Sequence, residues 1–189
     1  AVVIGASAGG LNAFKTFLPK LEKNLSLPLM LVQHISPQSD NYMTTHLDKL
    51  CKIKVKEAEE KETIKKGTAY FSPPNFHMLI EEDKSISFSV ENKVNYARPS
   101  IDVLFETASY AYKNKLIGII LTGANNDGAA GLKKIQELGG FTIVQDPGEA
   151  EVDTMPLSAI KIMKPDKILK LKEIADFLNK IHKNNKRIA

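Results

Sequence analysis

The sequence predicts a doubly wound three-layer α/β/α sandwich, with a mostly parallel sheet and an antiparallel hairpin portion. Short runs of Val, Ile and Leu recur along the chain, and helical patterns of apolar residues lie between them. The stretch from 51 to 95 changes to alternating apolar and polar residues. Continuous apolar runs are typical of parallel strands buried on both faces, whereas alternation is typical of antiparallel strands. The 189 residues suffice for one domain of this kind.

Four apolar runs are the predicted parallel strands. They are AVVI at 1–4, LPLMLVQH at 27–34, KLIGIILTG at 115–123 and GFTIVQD at 140–146. Strands that alternate with helices form a parallel sheet through crossover connections. Their carboxyl ends therefore meet at one edge of the sheet.

Helices are predicted where apolar residues repeat every three or four positions. These repeats are Leu11, Phe14, Leu18 and Leu21; Val103, Leu104, Ala108 and Ala111; and Leu132, Ile135 and Leu138. Gly139 and Gly140 end the third of them. An amphipathic C-terminal helix is predicted at about 173–183, followed by a frayed tail at 184–189.

The middle of the chain, roughly 51–95, is predicted to form antiparallel strands and a hairpin inserted into or beside the parallel sheet. KIKVKEAE and SISFSVE alternate, and TAYFSPPNFHMLI is interrupted by two prolines. Proline cannot donate to a sheet and is confined to edges and bulges.

The composition argues against a membrane-spanning, secreted or disulfide-bonded protein. The chain is 43% hydrophobic and 25% charged, and no apolar run approaches the ~20 residues of a membrane span. The N-terminus lacks a secretory signal, so we expect a cytoplasmic protein without membrane insertion. Cys51 is the single cysteine, which excludes an internal disulfide and a cysteine metal cluster. We predict no metal and no cofactor.

The net charge of +4 does not indicate nucleic-acid binding. The lysines are interspersed with acidic residues, Trp is absent, and arginine occurs twice, at Arg98 and Arg187. A nucleic-acid site needs a clustered basic face interleaved with aromatic side chains. The lysines therefore indicate a solvated surface.

The motif GASAGG at 5–10 follows the first predicted strand and has three interpretations. A dinucleotide site is disfavoured because the G-x-G-x-x-G spacing is absent and the second strand ends in Gln33 and His34 rather than an acidic residue. Ser7 as a cap of the next helix is the structural alternative. The third interpretation is a nucleophile elbow that lifts the Ser7 hydroxyl above the sheet edge.

A serine nucleophile needs an imidazole base and a carboxylate that orients the ring. His34 directly follows LMLVQ of the second strand, and Asp127 follows GIILTGANN, which begins in the strand at 115–123. Since parallel strands end at one edge, Ser7, His34 and Asp127 are predicted to meet in one crevice. The order Ser, His, Asp differs from that of α/β-hydrolases, so that fold is not predicted.

Six sequence blocks carry a resemblance to a known family, the catalytic domain of the chemotaxis protein-glutamate methylesterase CheB. They are IGASAGG at 4–10, VQHISP at 32–37, KGTAYFSPPNFHM at 66–78, ARPSIDVLFETAS at 97–109, LTGANNDGAAG at 121–131 and VQDPGEAEVDTMP at 144–156. The blocks extend over nearly the whole chain in the order that the family has.

The resemblance implies a serine hydrolase of γ-glutamyl methyl esters on methylated chemoreceptor cytoplasmic helices, with glutamine deamidation as a second activity. It implies the triad Ser7, His34 and Asp127, with an oxyanion hole from the backbone N–H groups of Ala8 and Ala124. A response-regulator receiver domain or kinase pathway components are the further partners that it implies. We expect one catalytic domain over 1–189, with a core at about 1–165 and no receiver domain.

Two motifs depart from the family pattern. Ala8 stands where the family turn G-A-S-T-G-G has threonine, and Ala124 and Asn125 stand where T-G-M-G-x-D-G has Met and Gly. The lost threonine hydroxyl weakens one positioning contact for the histidine, whereas backbone amides survive side-chain changes. The alternative function is therefore a catalytically weakened signalling or scaffold module of the same fold.

Residues outside the proposed triad and oxyanion hole have further predicted roles. Arg98 is predicted to contact substrate, because a guanidinium suits an acidic receptor helix. Asp102 is expected to cap a helix that begins near Val103, and His77 is left undecided. Met155 and Pro156 are expected to shape the cleft wall, and His46 and His182 to lie on the surface.

Overall fold

The structure, a computed structural model, describes the backbone of residues 1–186 and the side chains of residues 1–184. Its main sheet has seven strands in the order β3-β4-β2-β1-β7-β8-β9. These strands are β1 (Val2–Ala6), β2 (Leu29–Gln33), β3 (Lys54–Glu57), β4 (Thr68–Phe71), β7 (Ile117–Ile120), β8 (Phe141–Gln145) and β9 (Lys167–Leu169). Every pairing between them is parallel. A separate antiparallel pair consists of β5 (His77–Ile80) and β6 (Ile86–Ser89).

The four predicted parallel strands are confirmed as β1, β2, β7 and β8. Strand β1 lies at the centre of the sheet, where Val3 pairs with Met30 of β2 on one side and Gly118 of β7 on the other. All residues of these two neighbours and of β1 itself are buried. Burial on both faces is the reason that their sequences are continuously apolar.

The prediction for the middle of the chain is partly wrong. The β5–β6 hairpin is antiparallel as predicted, but β3 and β4 join the main sheet as parallel strands. Strand β3 is at the edge of the sheet, where Val55 is buried while Lys54 is exposed. An edge strand has alternating buried and exposed residues whether its partner runs parallel or antiparallel. The two-residue hydrophobic period therefore does not indicate the direction of pairing.

Within residues 1–186, five α-helices lie between strands and a sixth follows the last strand: α1 (Gly10–Phe17), α2 (Tyr42–Leu50), α3 (Ile101–Tyr112), α4 (Ala129–Glu137), α5 (Thr154–Ile162) and α6 (Leu171–Lys186). Helix α1 stops before Pro19, which lies in a short 3-10 turn. Helix α6 is longer at both ends than predicted, and the tail at 187–189 lies outside the described residues. Within the described chain no helix has the length and apolar content that crossing a membrane requires.

Two apolar layers enclose the sheet, which confirms the three-layer arrangement. On one face Ile4 of β1 packs in a cluster with Phe14 of α1 and Leu178 of α6. On the other face Val3 packs in a cluster with Phe105 of α3. Each such fully buried side chain contributes about 1.5–3 kcal/mol relative to exposure.

His182 on α6 is buried rather than on the surface, so that expectation is wrong. The side chain is 1% exposed, and its Nδ1 accepts a hydrogen bond from the Ser26 backbone N–H at 3.0 Å. Sequence alone does not show that the loop before β2 folds over this part of α6.

The strand order brings the predicted site residues to one place. The chain crosses from β1 to β2 on one side of β1 and later places β7 on its other side. Ligands of open α/β sheets bind outside the carboxyl ends of strands at such a switch in strand order. The segments that follow β1, β2 and β7 contain Ser7, His34 and Asp127 respectively.

Candidate active site

Ser7 lies on a tight turn between β1 and α1. Its backbone N–H donates to the Thr122 carbonyl at 3.0 Å, and its own carbonyl accepts the N–H of Gly10 at 2.9 Å. Gly9 has φ 79, and a Cβ there would lie 2.8 Å from Glu151 Cβ, so the turn requires glycine. Helix α1 is capped by Gly9 without a side-chain hydrogen bond. The Ser7 hydroxyl has no hydrogen-bond partner among the described side chains, which argues against the capping alternative.

The Gln33 side chain links the Ser7 turn to His34, the residue that follows β2. Its Nε2 donates to the Ser7 carbonyl at 2.8 Å and to the His34 carbonyl at 3.0 Å. Its Oε1 is buried and packs so closely on Gly10 that a Cβ there would lie 1.8 Å away. The hydrophobic pattern of the sequence does not reveal this role, although a polar residue at the end of a buried strand is a signal for it.

His34 contacts the loop after β7 through both ring nitrogens. Its Nε2 lies 2.8 Å from Asp127 Oδ2, and the two side chains are 13% and 0% exposed. On the other side of the ring, Asn125 Nδ2 lies 3.3 Å from His34 Nδ1, while Asn125 Oδ1 accepts the Asp127 N–H. Because the Asn125 amide nitrogen can only donate, these two contacts fit the tautomer in which His34 accepts at Nδ1 and donates from Nε2. Asn125 is a second residue that sequence analysis did not assign.

The Asp127 carboxylate is buried at the amino end of α3. It accepts the backbone N–H groups of Ile101 at 2.7 Å and Asp102 at 3.2 Å, and the Ser100 hydroxyl at 2.9 Å. Burial alone raises the pKa of Asp127, but hydrogen bonds from His34, from Ile101 N–H and from Asn95 hold it below its usual value. The helix end thus favours the charged form of Asp127.

Asp102 does not have the capping role expected from the sequence. Helix α3 begins at Ile101, and Ser100 is its cap. Asp102 instead accepts the Gly131 N–H of α4 at 2.7 Å and an N–H of the Asn95 side chain at 2.8 Å. Burial, and to a smaller extent the charge on Asp127, raise the pKa of Asp102 to about 6.

An open cavity of about 370 Å³ lies above these residues, and Ser7, His34, Asn125, Tyr96 and Arg98 are part of its lining. Asp127 lies behind His34 and does not line it. The cavity leaves the serine and the imidazole accessible to a side chain that enters from solvent.

The structure places Ala8 and Ala124 in the two loops next to Ser7. Neither backbone N–H donates to an acceptor within residues 1–186. Ala124 follows Gly123, where a Cβ would lie 2.9 Å from Ser7 Cβ. Unpartnered amides beside a serine are the elements of an oxyanion hole, and this role stays a prediction for both.

The guanidinium of Arg98 is mainly bonded within the chain. Its Nε and Nη2 donate to Asn75 Oδ1 at 3.2 and 2.8 Å, and its Nη1 donates to the carbonyls of Val90 and Glu91. One of its five N–H groups is left for a ligand. The contact of Arg98 with substrate therefore stays a prediction. Its hydrogen bonds within the chain are a structural role that the sequence did not reveal.

His77 and Met155 lie behind the cavity wall. His77 is 2% exposed, and its ring donates to the Asn92 carbonyl and accepts the Ser100 N–H. Both ring nitrogens are thus used within the fold. Met155 is buried, and its side chain packs against Gly123. Neither residue lines the cavity. No group of three His, Cys, Asp or Glu side chains within the described chain has a metal-site arrangement.

Comparison with known proteins gives consistent matches. The profile of the family described as CheB methylesterase matches residues 2–178. A Leptospira interrogans protein is 57% identical over 185 residues, covering 98% of this chain and 96% of its own length. A Syntrophus aciditrophicus protein, named protein-glutamate methylesterase/protein-glutamine glutaminase 2, is 38% identical over 93% of this chain. This chain spans about half of its length, 52%.

A solved structure gives the same result at the level of the fold. The crystal structure of the Thermotoga maritima CheB methylesterase catalytic domain superposes with a TM-score of 0.92 at 34% sequence identity. The match covers 95% of this chain and 97% of that one. Sequence and fold agree over the whole catalytic region, so this chain belongs to the CheB methylesterase family.

Proposed function

We propose that this chain is a protein-glutamate methylesterase that hydrolyses γ-glutamyl methyl esters on chemoreceptor helices. The observation that carries the proposal is the 2.8 Å contact between His34 Nε2 and the buried Asp127 carboxylate, because His34 and Ser7 line the same cavity. The name of the Syntrophus relative supports the reaction and also supports glutamine deamidation as a second activity.

In the proposed first step, His34 Nδ1 takes the proton of the Ser7 hydroxyl while Oγ bonds to the ester carbonyl carbon. Asp127 stabilises the imidazolium that forms. The carbonyl oxygen becomes an oxyanion, and the N–H groups of Ala8 and Ala124 donate to it. The C–O bond to methanol then breaks, and the leaving oxygen takes the proton from His34.

In the second step, water attacks the glutamyl ester of Ser7, and His34 accepts the proton of the water. Collapse of the intermediate returns that proton to Ser7 Oγ and releases the glutamate carboxylic acid, which ionises at neutral pH. For a glutamine substrate, ammonia replaces methanol as the leaving group. The charge of the receptor becomes more negative in either reaction.

The substrate and partners are part of the proposal. An open cavity suits a side chain presented on a receptor helix, and a receiver domain or kinase pathway components are the proposed regulators. The cytoplasm, expected from the sequence, is the compartment that fits such partners.

A fluorophosphonate probe tests the nucleophile directly. We expect mass mapping of the labelled chain to find one adduct on Ser7, and Ser7→Ala to abolish it. Ser89→Ala, in a strand away from the cavity, is the matched control and keeps the label. A folded wild-type chain that stays unlabelled, while a reference serine hydrolase reacts fully, contradicts the proposal and favours the scaffold alternative.

A substrate assay tests the reaction class. We expect methanol release from a methylated chemoreceptor fragment, with Ser7→Ala about 10⁴-fold slower. Turnover confined to simple nitrophenyl esters, with no methanol from the receptor fragment, contradicts the assignment as a protein methylesterase.

A further inference from the structure

Asn95 lies at the tip of a tight hairpin on the rim of the cavity. Val94 and Ala97 exchange two backbone hydrogen bonds of 3.1 and 2.9 Å. Between them, Asn95 has φ 50 and Tyr96 has φ 64, both in the left-handed region. Asparagine tolerates this region, whereas tyrosine adopts it at a cost. The Tyr96 side chain is 97% exposed, so burial of the ring does not offset that cost.

The hairpin aims the Asn95 amide into the site. Its Nδ2 donates to Asp102 Oδ2 at 2.8 Å and to Asp127 Oδ1 at 3.1 Å. The amide thus uses one N–H for each of two neighbouring carboxylates. Within residues 1–184, Asn95 is the one side chain that donates to both.

These two carboxylates repel each other when both are charged. The titratable group in contact with Asp127 besides Asp102 is His34. Lys161 of α5 lines a second crevice together with Asn95 and Asp102, and Lys93 lines the cavity that contains Ser7. Without a donor between them, two close carboxylates share a proton, and one of them becomes neutral at higher pH.

We propose that Asn95 is a positioning residue for the esterase reaction, because its amide keeps Asp127 charged and directed at His34 while Asp102 stays beside it. The inference rests on the proposed function. Asn95 touches Asp127 rather than the reacting atoms, so it acts on the rate of the serine step and little on substrate binding.

Asn95→Gly is the central test, because glycine keeps the left-handed backbone and removes only the amide. We expect the rate of fluorophosphonate labelling at Ser7 to fall by about 10-fold at pH 6, where a proton shared by the carboxylates weakens the His34 contact. The acid limb of the rate–pH profile, which is the range in which the labelling rate falls as the pH is lowered, moves to higher pH. With the methylated receptor fragment, kcat falls and KM changes less than about 2-fold.

A second variant separates this role from a merely structural one. Adding Asp102→Asn to Asn95→Gly removes the competing carboxylate, and we expect it to return the acid limb to its wild-type position. Lys84→Gly is the matched control, since Lys84 has φ 65 in the exposed β5–β6 turn outside the cavity. Thermal unfolding of each variant shows that the compared chains are folded.

The outcomes are distinct. A shifted acid limb that Asp102→Asn restores supports the inference. A wild-type rate–pH profile in Asn95→Gly overturns the inference. So does a labelling rate that is slower in Asn95→Gly without a shift of the acid limb and that Asp102→Asn does not restore. Absence of Ser7 labelling in the wild-type chain overturns the proposed function instead, so the two failures are distinguishable.

Discussion

His34 Nε2 donates to Asp127 Oδ2 at 2.8 Å, so the ring nitrogen left to accept the Ser7 proton is Nδ1. In the usual serine triad the carboxylate takes Nδ1 and the serine faces Nε2. In the triad proposed for this chain the two nitrogens are exchanged. Asn125 is the residue that contacts Nδ1 in this arrangement.

Asp127→Asn is expected to lower methanol release by about 10⁴-fold, because a neutral amide no longer fixes the proton on Nε2. The measurement is turnover per folded molecule, with folding checked by circular dichroism. Asp166→Asn is the control, since Asp166 also accepts a backbone N–H and a hydroxyl, both from Thr142. Equal losses of turnover in the two variants contradict a specific role for Asp127.

Asn125→Gly is expected to speed fluorophosphonate labelling of Ser7 by a few-fold. Asn125 Nδ2 donates to the lone pair that the Ser7 proton needs, and one such hydrogen bond is worth about 1 kcal/mol. The measurement is the second-order labelling rate. Asn126→Gly makes the same change at an exposed neighbour that does not line the cavity. If labelling is slower in Asn125→Gly and unchanged in Asn126→Gly, the prediction is contradicted and Asn125 assists the reaction.

Gly10→Ala is expected to destabilise the chain by about 1–3 kcal/mol, because the new Cβ meets Gln33 Oε1 at 1.8 Å. Denaturant unfolding measures the loss. Gln33→Ala in the same chain removes the obstructing oxygen, so the double variant is less destabilised than the sum of the single ones. Additive effects show that Gln33 is not the obstacle.

Asp102 gives the stability a pH dependence of defined sign. Its pKa is raised to about 6 from a usual value of 3.8, so its contribution to stability is fully present below about pH 4 and is lost as the pH rises through 6. The free energy of unfolding of Asp102→Asn should therefore rise relative to wild type between pH 4 and 6, by at most about 1.4 kcal/mol per pH unit. Denaturant titrations across this range measure the difference, and a flat difference contradicts the raised pKa.

The sequence was sufficient to predict that Ser7 and His34 lie at one cavity and that His34 lies beside Asp127, because all three follow strands of one parallel sheet. This prediction depends only on the position and direction of the strands, and not on the conformation of the loops. A hydrogen bond between the Ser7 hydroxyl and His34 stays a prediction.

Side chains that reach the site from irregular segments are not predicted by the order and direction of the strands. Asn95 and Gln33 act through side-chain amides whose direction depends on local backbone angles, and no hydrophobic period reports those angles. The Asn-Tyr pair at 95–96 is a turn signal, since asparagine is favoured at positive φ. The hydrogen bond from the Ile101 N–H at the start of α3 to Asp127 is a tertiary contact across 26 residues, which local capping rules do not detect.

One carboxylate is bonded both to the proposed catalytic base and to the start of a helix. Asp127 accepts the Ile101 N–H at the first turn of α3 and also contacts His34, so we expect unwinding of that turn to release the imidazole while the sheet stays intact. On gradual heating, enzymatic activity should therefore disappear at a lower temperature than the far-ultraviolet signal of the folded chain.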